Sequence, residues 1–170
     1  YARVLDHLRG TPAVTVAGAG QRVPTAGSRW NPSRSLVIHG RPARDNETIF
    51  AAALTVTPGY LETLRIPLTA GRALTAGDSA NAPLAVVVNE MAIRRYWDGD
   101  NARALGARIR LGDERDPGTW RTVVGVVGNV RNDDIDSPPL PMIYVPLAQR
   151  PSREMTGCGN QVGFRQLRIQ

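Results

Sequence analysis

Apolar positions recur along the chain with two spacings, one typical of helices and one typical of strands. Helical spacing predicts helices at 2–9, 57–64 and 90–97. Continuous or alternating apolar runs predict strands at 13–19, 36–40, 48–56, 84–88, 105–112, 119–130 and 141–147. Strands outnumber helices, so the pattern predicts an α+β fold.

Turn and cap residues refine several of these elements. Thr57 is the expected N-cap of the second helix, with Pro58 at its first position, where the missing N–H costs nothing. The connection at 66–78 is rich in turn residues and contains no predicted strand. Pro141 and Pro146 restrict the last strand to a sheet edge or to a short length, because proline cannot donate a ladder hydrogen bond.

The stretch from Leu84 to Trp97 raises the clearest question about function. An apolar run at 84–88 predicts a strand buried on both faces. Asn89 and Glu90 follow at its carboxyl end, where α/β proteins often place ligand sites. The same pair suits a helix start, with Asn89 as N-cap and Glu90 in the first turn, and such a cap contributes about 1 kcal/mol. We favour the cap. The helix then buries a stripe formed by Ala92, Ile93, Tyr96 and Trp97.

The two segments that follow predict a hairpin. Residues 105–112 alternate between apolar and polar positions, 113–118 are turn residues, and 119–130 resume a strand. Gly125 and Gly128 have neither the spacing of a phosphate-binding loop nor an accompanying lysine. They predict a bulge or a close backbone approach instead.

Charge is the second feature that bears on function. The 170-residue chain has a formal net charge of +6, and all 21 of its basic residues are arginine. The arginines are spread along the chain, although Arg94, Arg95, Arg108 and Arg110 would form one basic patch if their helix and strand are neighbours. The alternative is that each pair is the solvated face of its own element. A basic nucleic-acid-binding module is the rival function that this charge suggests.

Candidate catalytic and metal-binding residues are few. Asp133, Asp134 and Asp136 lie in one loop that lacks the further ligands of a calcium site. Asp113, Glu114 and Asp116 fit the predicted hairpin turn. Cys158 excludes an internal disulfide because it is the single cysteine, and His7 and His39 lie in separate segments. We therefore expect no catalytic residue, no metal and no cofactor; a small hydrolase that uses the acidic loop is a third reading.

Five phrases, in order and at matching spacing, carry a resemblance to a known family. They are 56–72, 85–97, 105–112, 120–131 and 138–149. The residues that match the family pattern are Pro58, Gly59, Tyr60, Gly71, Arg72, Asn89, Glu90, Tyr96, Trp97, Gly106, Gly125, Tyr144 and Pro146. Leu61 and Leu105 replace the usual Phe and Ile. Over roughly residues 1 to 150, the chain resembles the MacB-like periplasmic core domain of ABC-transporter permeases, in particular the duplicated permeases of soil bacteria.

The resemblance implies an organisation in two parts. Residues 1–57 would correspond to an incomplete porter-like βαβ part, and residues 58–150 to an inserted second small α/β lobe. Residues 151–170 lack the apolar alternation that the family has on its return to the porter part, which suggests a truncation or a reading-frame break. The chain also begins without Met and without an apolar leader, so we expect it to be part of a longer protein.

The resemblance also implies a function without chemistry of its own. Such a domain lies on the periplasmic side of the bacterial inner membrane, between two transmembrane helices. It would couple ATP-driven motion to an exported substrate or a periplasmic adaptor. Its partners would be the rest of the permease and a separate ATPase, in a homodimer or pseudo-dimer and without nucleic acid.

Overall fold

A computed structural model describes residues 2–12, 14–21, 33–41, 49–112, 119–130 and 138–150. Its helices are α1 (Ala2–Arg9), α2 (Tyr60–Thr63), α3 (Glu90–Tyr96) and α4 (Asn101–Ala104), and a 3-10 turn spans Leu147–Gln149. Its strands are β1 (Ser33–Ile38), β2 (Phe50–Val56), β3 (Leu68–Gly71), β4 (Ala85–Asn89), β5 (Arg108–Leu111), β6 (Arg121–Val127) and β7 (Met142–Pro146). The predicted α+β class is confirmed.

All seven strands belong to one sheet, in the order β3-β6-β4-β7-β2-β1-β5. An additional pairing between β5 and β6 closes six of them into a ring. β2 runs parallel to β7, and β4 runs parallel to β6 and antiparallel to β7. Strands from both sides of residue 57 thus share the sheet, and the division there into a porter-like part and an inserted lobe stays a prediction.

The sheet is covered on two faces. One apolar cluster lies between the strands and α3, and its largest fully buried members include Ile109 and Ile143. The other cluster lies between the strands and α2, around Tyr60 and Tyr144. A third, smaller cluster joins Leu5 of α1 to the segment at 14–19. All five residues of β4 and of β7 are buried, because these central strands have a core on each side.

The strand–helix unit predicted at 84–97 is confirmed. β4 ends at Asn89, and α3 begins at Glu90. The predicted stripe of four side chains, three on α3 and the fourth at its C-cap Trp97, is buried, none more than 5% exposed. The predicted hairpin is also confirmed, since β5 and β6 pair antiparallel with Arg108 opposite Thr122.

The expected cap of the second helix is wrong. α2 is a single turn that begins at Tyr60, and its N-cap is Gly59, in the left-handed conformation with φ 87°. No side-chain hydrogen bond caps α2, and the Thr57 Oγ1 instead accepts a hydrogen bond from the Ala19 N–H (2.8 Å). The Thr57 hydroxyl, which local sequence predicted as the cap, is thus hydrogen-bonded to Ala19, a residue distant in sequence.

Three further elements differ from prediction. β3 lies inside the segment expected to be turns only, paired with β6. α4 was not predicted, although Asp100 caps it by accepting from the N–H groups of Ala102 and Arg103. Residues 14–21 form an isolated bridge between Gly20 and Val56 rather than the predicted strand.

The last strand is short, as one alternative predicted, but the other alternative, an edge position, is wrong. β7 lies between β4 and β2 at the centre of the sheet. Its prolines tolerate this position because Pro141 precedes the strand and Pro146 is its final residue. The Pro141 carbonyl accepts a hydrogen bond from the Ala52 N–H (2.9 Å), so pairing with β2 begins at the residue before β7.

Candidate functional site

Asn89 is a buried junction between three segments and has no exposed surface. Its Oδ1 accepts from the Ala92 N–H (3.0 Å) and from the Met142 N–H (2.9 Å). Its Nδ2 donates to the Leu140 carbonyl (2.8 Å). The side chain caps α3 as predicted and also fixes the start of β7, which sequence reasoning missed. Because all its bonds are internal, Asn89 does not offer its amide to a ligand.

Glu90 lies beside a second amide. The Asn129 Oδ1 accepts from the Met91 N–H (2.8 Å), and its Nδ2 donates to the Glu90 carboxylate (3.3 Å). Asn129 follows the carboxyl end of β6, which is parallel to β4, so the two asparagines satisfy two N–H groups in the first turn of α3. This edge of the sheet is occupied by capping contacts.

Gln149 makes an equivalent junction at the opposite end of β7, and nothing in the local sequence pointed to it. Its Oε1 accepts from the Ala85 N–H at the start of β4 (2.9 Å). Its Nε2 donates to the carbonyls of Ser79 (3.2 Å) and Pro83 (3.1 Å). Its backbone oxygen accepts from the buried guanidinium of Arg121 (2.8 Å). Four segments are thereby joined through one residue that is 5% exposed.

Arg72 forms a two-pronged ion pair with Asp78. Its two terminal nitrogens lie 2.9 and 2.8 Å from the carboxylate oxygens. Asp78 is buried and also accepts from the Thr75 N–H (2.8 Å). The hydrogen bonds from Arg72 lower the pKa of Asp78, and burial opposes this only in part. The pair closes the loop after β3 and commits the two terminal nitrogens of Arg72 to Asp78.

Gly71 and Gly125 allow the backbones of β3 and β6 to approach closely. A Cβ on Gly125 would lie 2.1 Å from the Arg72 carbonyl oxygen, and one on Gly71 would lie 2.4 Å from that of Val124. The β4–β6 register also shifts between Val86 and Val87, opposite Val123 and Gly125. The predicted bulge and close approach at Gly125 are confirmed.

The Pro58–Gly59–Tyr60 turn is packed under the N-terminal segment. A Cβ on Gly18 would lie 2.3 Å from the Tyr60 nitrogen, so the two backbones are in contact. The Tyr60 and Tyr144 rings lie 6.4 Å apart in the core beneath, where burial raises the pKa of the Tyr144 phenol. A small pocket beside this turn is lined by Thr57, Glu62 and Leu74, among others, and has room for about one water molecule.

Tyr96 and Trp97 belong to the core, as predicted. Their rings meet edge to face at 6.2 Å, and the Tyr96 hydroxyl donates to the Phe50 carbonyl. The guanidinium groups of Arg41 and Arg95 lie over the Tyr96 ring at 5.6 and 5.9 Å. The ring therefore anchors α3 to the start of β2 rather than binding a ligand.

Gly106 lies between α4 and β5, and Pro146 is the last residue of β7. Gly106 has φ 82° and precedes β5, and its N–H donates to the Val123 carbonyl (2.9 Å). Pro146 pairs with Val56 and leads into the 3-10 turn that carries Gln149.

Trp120 gathers the arginines that the sequence placed on β5. The guanidinium groups of Arg108 and Arg110 lie 5.6 and 5.3 Å from its ring centroid. His39 meets the same ring edge-on at 5.5 Å. The sequence predicted the hairpin, but its register, which brings Arg110 beside Trp120, and the approach of His39 came only from the structure.

In the described part of the chain, the polar and aromatic side chains named above pack in the core or against aromatic rings, cap helices or form hydrogen bonds and ion pairs within the domain. Within the described ranges, no three His, Cys, Asp or Glu side chains are placed to hold a metal ion. None of the described helices has the length and apolarity needed to cross a bilayer. The acidic residues at 113–116 and 133–136, together with Cys158, lie outside the described residues.

The solved structures that share this fold include the following three. The periplasmic region of MacB from Actinobacillus actinomycetemcomitans superposes with a TM-score of 0.58 at 18% identity, covering 95% of this chain and 61% of that one. A domain of a putative permease protein from Porphyromonas gingivalis superposes with a TM-score of 0.54 at 17% identity, covering 92% of this chain and 62% of that one. The extracellular domain of the noncanonic ABC-type transporter YknZ from Gram-positive bacteria superposes with a TM-score of 0.53 at 16% identity, covering 85% of this chain and 61% of that one.

This chain thus spans about three fifths of the length of those structures. No curated protein sequence matches it. The profile of one domain family matches residues 7–167, which is nearly the whole chain. The chain belongs to the family of MacB-like periplasmic core domains.

Proposed function

We propose that this chain is the extracytoplasmic domain of an ABC-transporter permease, on the outer side of the inner membrane. It transmits motion driven by ATP hydrolysis elsewhere in the transporter to an exported substrate or a periplasmic partner. Family membership supports the location, and the YknZ and MacB structures, described as extracellular and periplasmic regions, support the transporter context.

The observation that carries the coupling role is the double fastening of the β4–β7 strand pair. β4 and β7 are antiparallel, so the end of one lies beside the start of the other. Asn89 binds the backbone at one end, and Gln149 binds it at the other. A body that transmits displacement must resist internal shear, and buried side-chain bonds at both ends of its central strands provide that resistance.

The proposal assigns ATP binding and hydrolysis to a separate ATPase. The polar side chains that the family pattern shares with this chain, such as Asn89 and Arg72, are bonded within the domain. The remaining partners proposed are the membrane part of the permease and a second copy or a duplicated half of it. An adaptor protein outside the membrane is a further proposed partner.

Thermal unfolding of the purified chain with and without MgATP tests this assignment. We expect the same Tm at all nucleotide concentrations, because the nucleotide site lies on another domain. A rise in Tm that depends on nucleotide concentration would contradict the proposal, since a ligand that binds the folded state stabilises it. Transmembrane helices encoded on both sides of this segment would support the location, and a soluble flanking protein would oppose it.

A further inference from the structure

Three strands present one basic and aromatic face to solvent. The hairpin register that pairs Ile109 with Arg121 places Arg110 directly opposite Trp120. Arg108 lies diagonally from Trp120 on the same face, within reach of a large ring. His39, the residue after β1, joins this face, and its backbone N–H donates to the Arg108 carbonyl (2.9 Å). We call these four side chains the Trp120 face.

The Trp120 face is turned away from the apolar core. Ile109 and Arg121, which alternate with its members along β5 and β6, are buried on the opposite side of the sheet. Arg108 and His39 are exposed, and Trp120 and Arg110 are half-buried. A charged partner can therefore reach the Arg108 guanidinium without any rearrangement of the fold.

The indole ring orders the charges around it. Two guanidinium groups lie within 5.6 Å of its centroid, a distance at which cation–π attraction operates. Holding a long side chain against a ring before binding reduces the conformational entropy lost when a partner docks. Trp and Arg are also the residue types that most often carry the affinity of protein–protein interfaces.

We propose that the Trp120 face is a docking surface for an acidic segment of a protein partner outside the membrane. Charge complementarity selects the occupant, because two of the four side chains are cationic and none is acidic. The composition favours a protein over a lipid surface, since an ordered tryptophan with arginines is typical of an interface anchor. This proposal names a partner class and rests on the proposed function only for the location of that partner.

The size of the Trp120 face indicates a short segment. Three strands about 4.8 Å apart, with two outward positions along β5 and one on each neighbour, cover about 10 by 7 Å. A stable interface between two domains buries about 800 Å² on each partner, so this face alone suits one or two acidic side chains in an extended segment.

Binding of a fluorescein-labelled peptide that alternates Glu with Ser, measured by anisotropy with the whole 170-residue chain, tests the proposal. We expect saturable binding that a Gln-for-Glu peptide does not show. Arg108→Ala should weaken it about fivefold or more, in the range of an interface anchor. Arg65→Ala is the matched control, because Arg65 is an exposed arginine near the other end of β6, beside the Pro67–Gly128 contact. It removes the same charge and should change affinity less than about twofold.

Equal losses for Arg108→Ala and Arg65→Ala would overturn the proposal, because binding would then reflect net charge alone. Binding of the Gln peptide with equal affinity would also overturn it. Phosphatidylglycerol vesicles and a single-stranded oligonucleotide serve as competing anions. If either binds more tightly than the peptide and loses affinity in Arg108→Ala, the face recognises a membrane or a nucleic acid and the proposal is wrong. A peptide that fails to bind overturns the docking proposal but leaves the coupling role standing, since coupling is measured by transport.

Discussion

Asn89 and Gln149 hold opposite ends of the same antiparallel strand pair. Asn89, at the end of β4, binds the Leu140 carbonyl and the Met142 N–H at the approach to β7. Gln149, just after β7, binds the Ala85 N–H at the start of β4. Each side chain is an uncharged amide, which can donate and accept at once without the desolvation cost of a buried charge. The centre of the domain is thereby fastened at both ends.

Replacing Asn89 by Ala should lower the free energy of unfolding by about 3 kcal/mol, more than the 1 kcal/mol of an ordinary cap. The larger value follows because the variant leaves two N–H donors and one carbonyl unpaired in a site with no solvent access. Urea denaturation at neutral pH measures it. Asn89→Asp keeps both accepted bonds but buries a carboxylate against the Leu140 carbonyl oxygen, so at neutral pH it should destabilise the chain at least as much as Asn89→Ala. A loss of only about 1 kcal/mol in Asn89→Ala would mean that the bonds to β7 contribute nothing.

Replacing Gln149 by Met should destabilise the chain by about 2 kcal/mol. Methionine matches glutamine in length, so the volume is kept while the bonds to Ala85, Ser79 and Pro83 are lost. Amide hydrogen exchange should show faster exchange at Ala85, the donor that loses its partner. An unchanged exchange rate at Ala85 would show that this bond does not protect the start of β4.

Gly125 and Gly106 form a matched pair for a test of the close approach. Gly125→Ala should cost several kcal/mol, because its Cβ would lie 2.1 Å from a backbone oxygen of Arg72. Gly106→Ala should cost about 1 kcal/mol, because its φ of 82° is unfavourable but nothing lies within 4 Å of the added carbon. Melting temperatures of the two variants compare these costs, and equal losses would argue that β3 moves aside without penalty.

The Arg72–Asp78 pair should make stability depend on pH in the acid range. The pKa of Asp78 in the folded state lies below its unfolded value of about 3.9. The stabilisation by the pair is therefore fully present above that value and is lost as pH falls through the folded pKa. The difference in unfolding free energy between the natural chain and Asp78→Asn should therefore be constant from about pH 6 to 8 and should shrink below about pH 4. A difference that persists unchanged at pH 2 would assign the effect to neutral hydrogen bonds.

Local pattern predicted the β4–α3 unit and the β5–β6 hairpin because their information lies in contiguous residues. Asn89 follows an apolar run and precedes a helical stripe, so its cap was readable. Its bonds to β7 join residues 51 and 53 positions apart, and no local spacing reports such a distance.

The errors have the same origin. Thr57 fits the local pattern of a helix cap, but its hydroxyl is hydrogen-bonded to Ala19, 38 positions away. β3 has four residues with mostly exposed side chains, so its strand character comes from pairing with β6 rather than from apolar alternation. Gln149 carries no motif of its own and becomes important only because the 3-10 turn after β7 places it beside the start of β4.

The central claim, that a doubly fastened domain transmits motion, is tested most directly by the number of substrate molecules exported per ATP hydrolysed. The measurement uses the full permease with its ATPase in proteoliposomes, carrying Asn89→Ala with Gln149→Met, and Arg65→Ala as the control. The account predicts that ATP hydrolysis continues in the double variant while export per ATP falls, and that the control is unchanged. An unchanged ratio in a double variant whose domain is demonstrably loosened by hydrogen exchange would contradict the account.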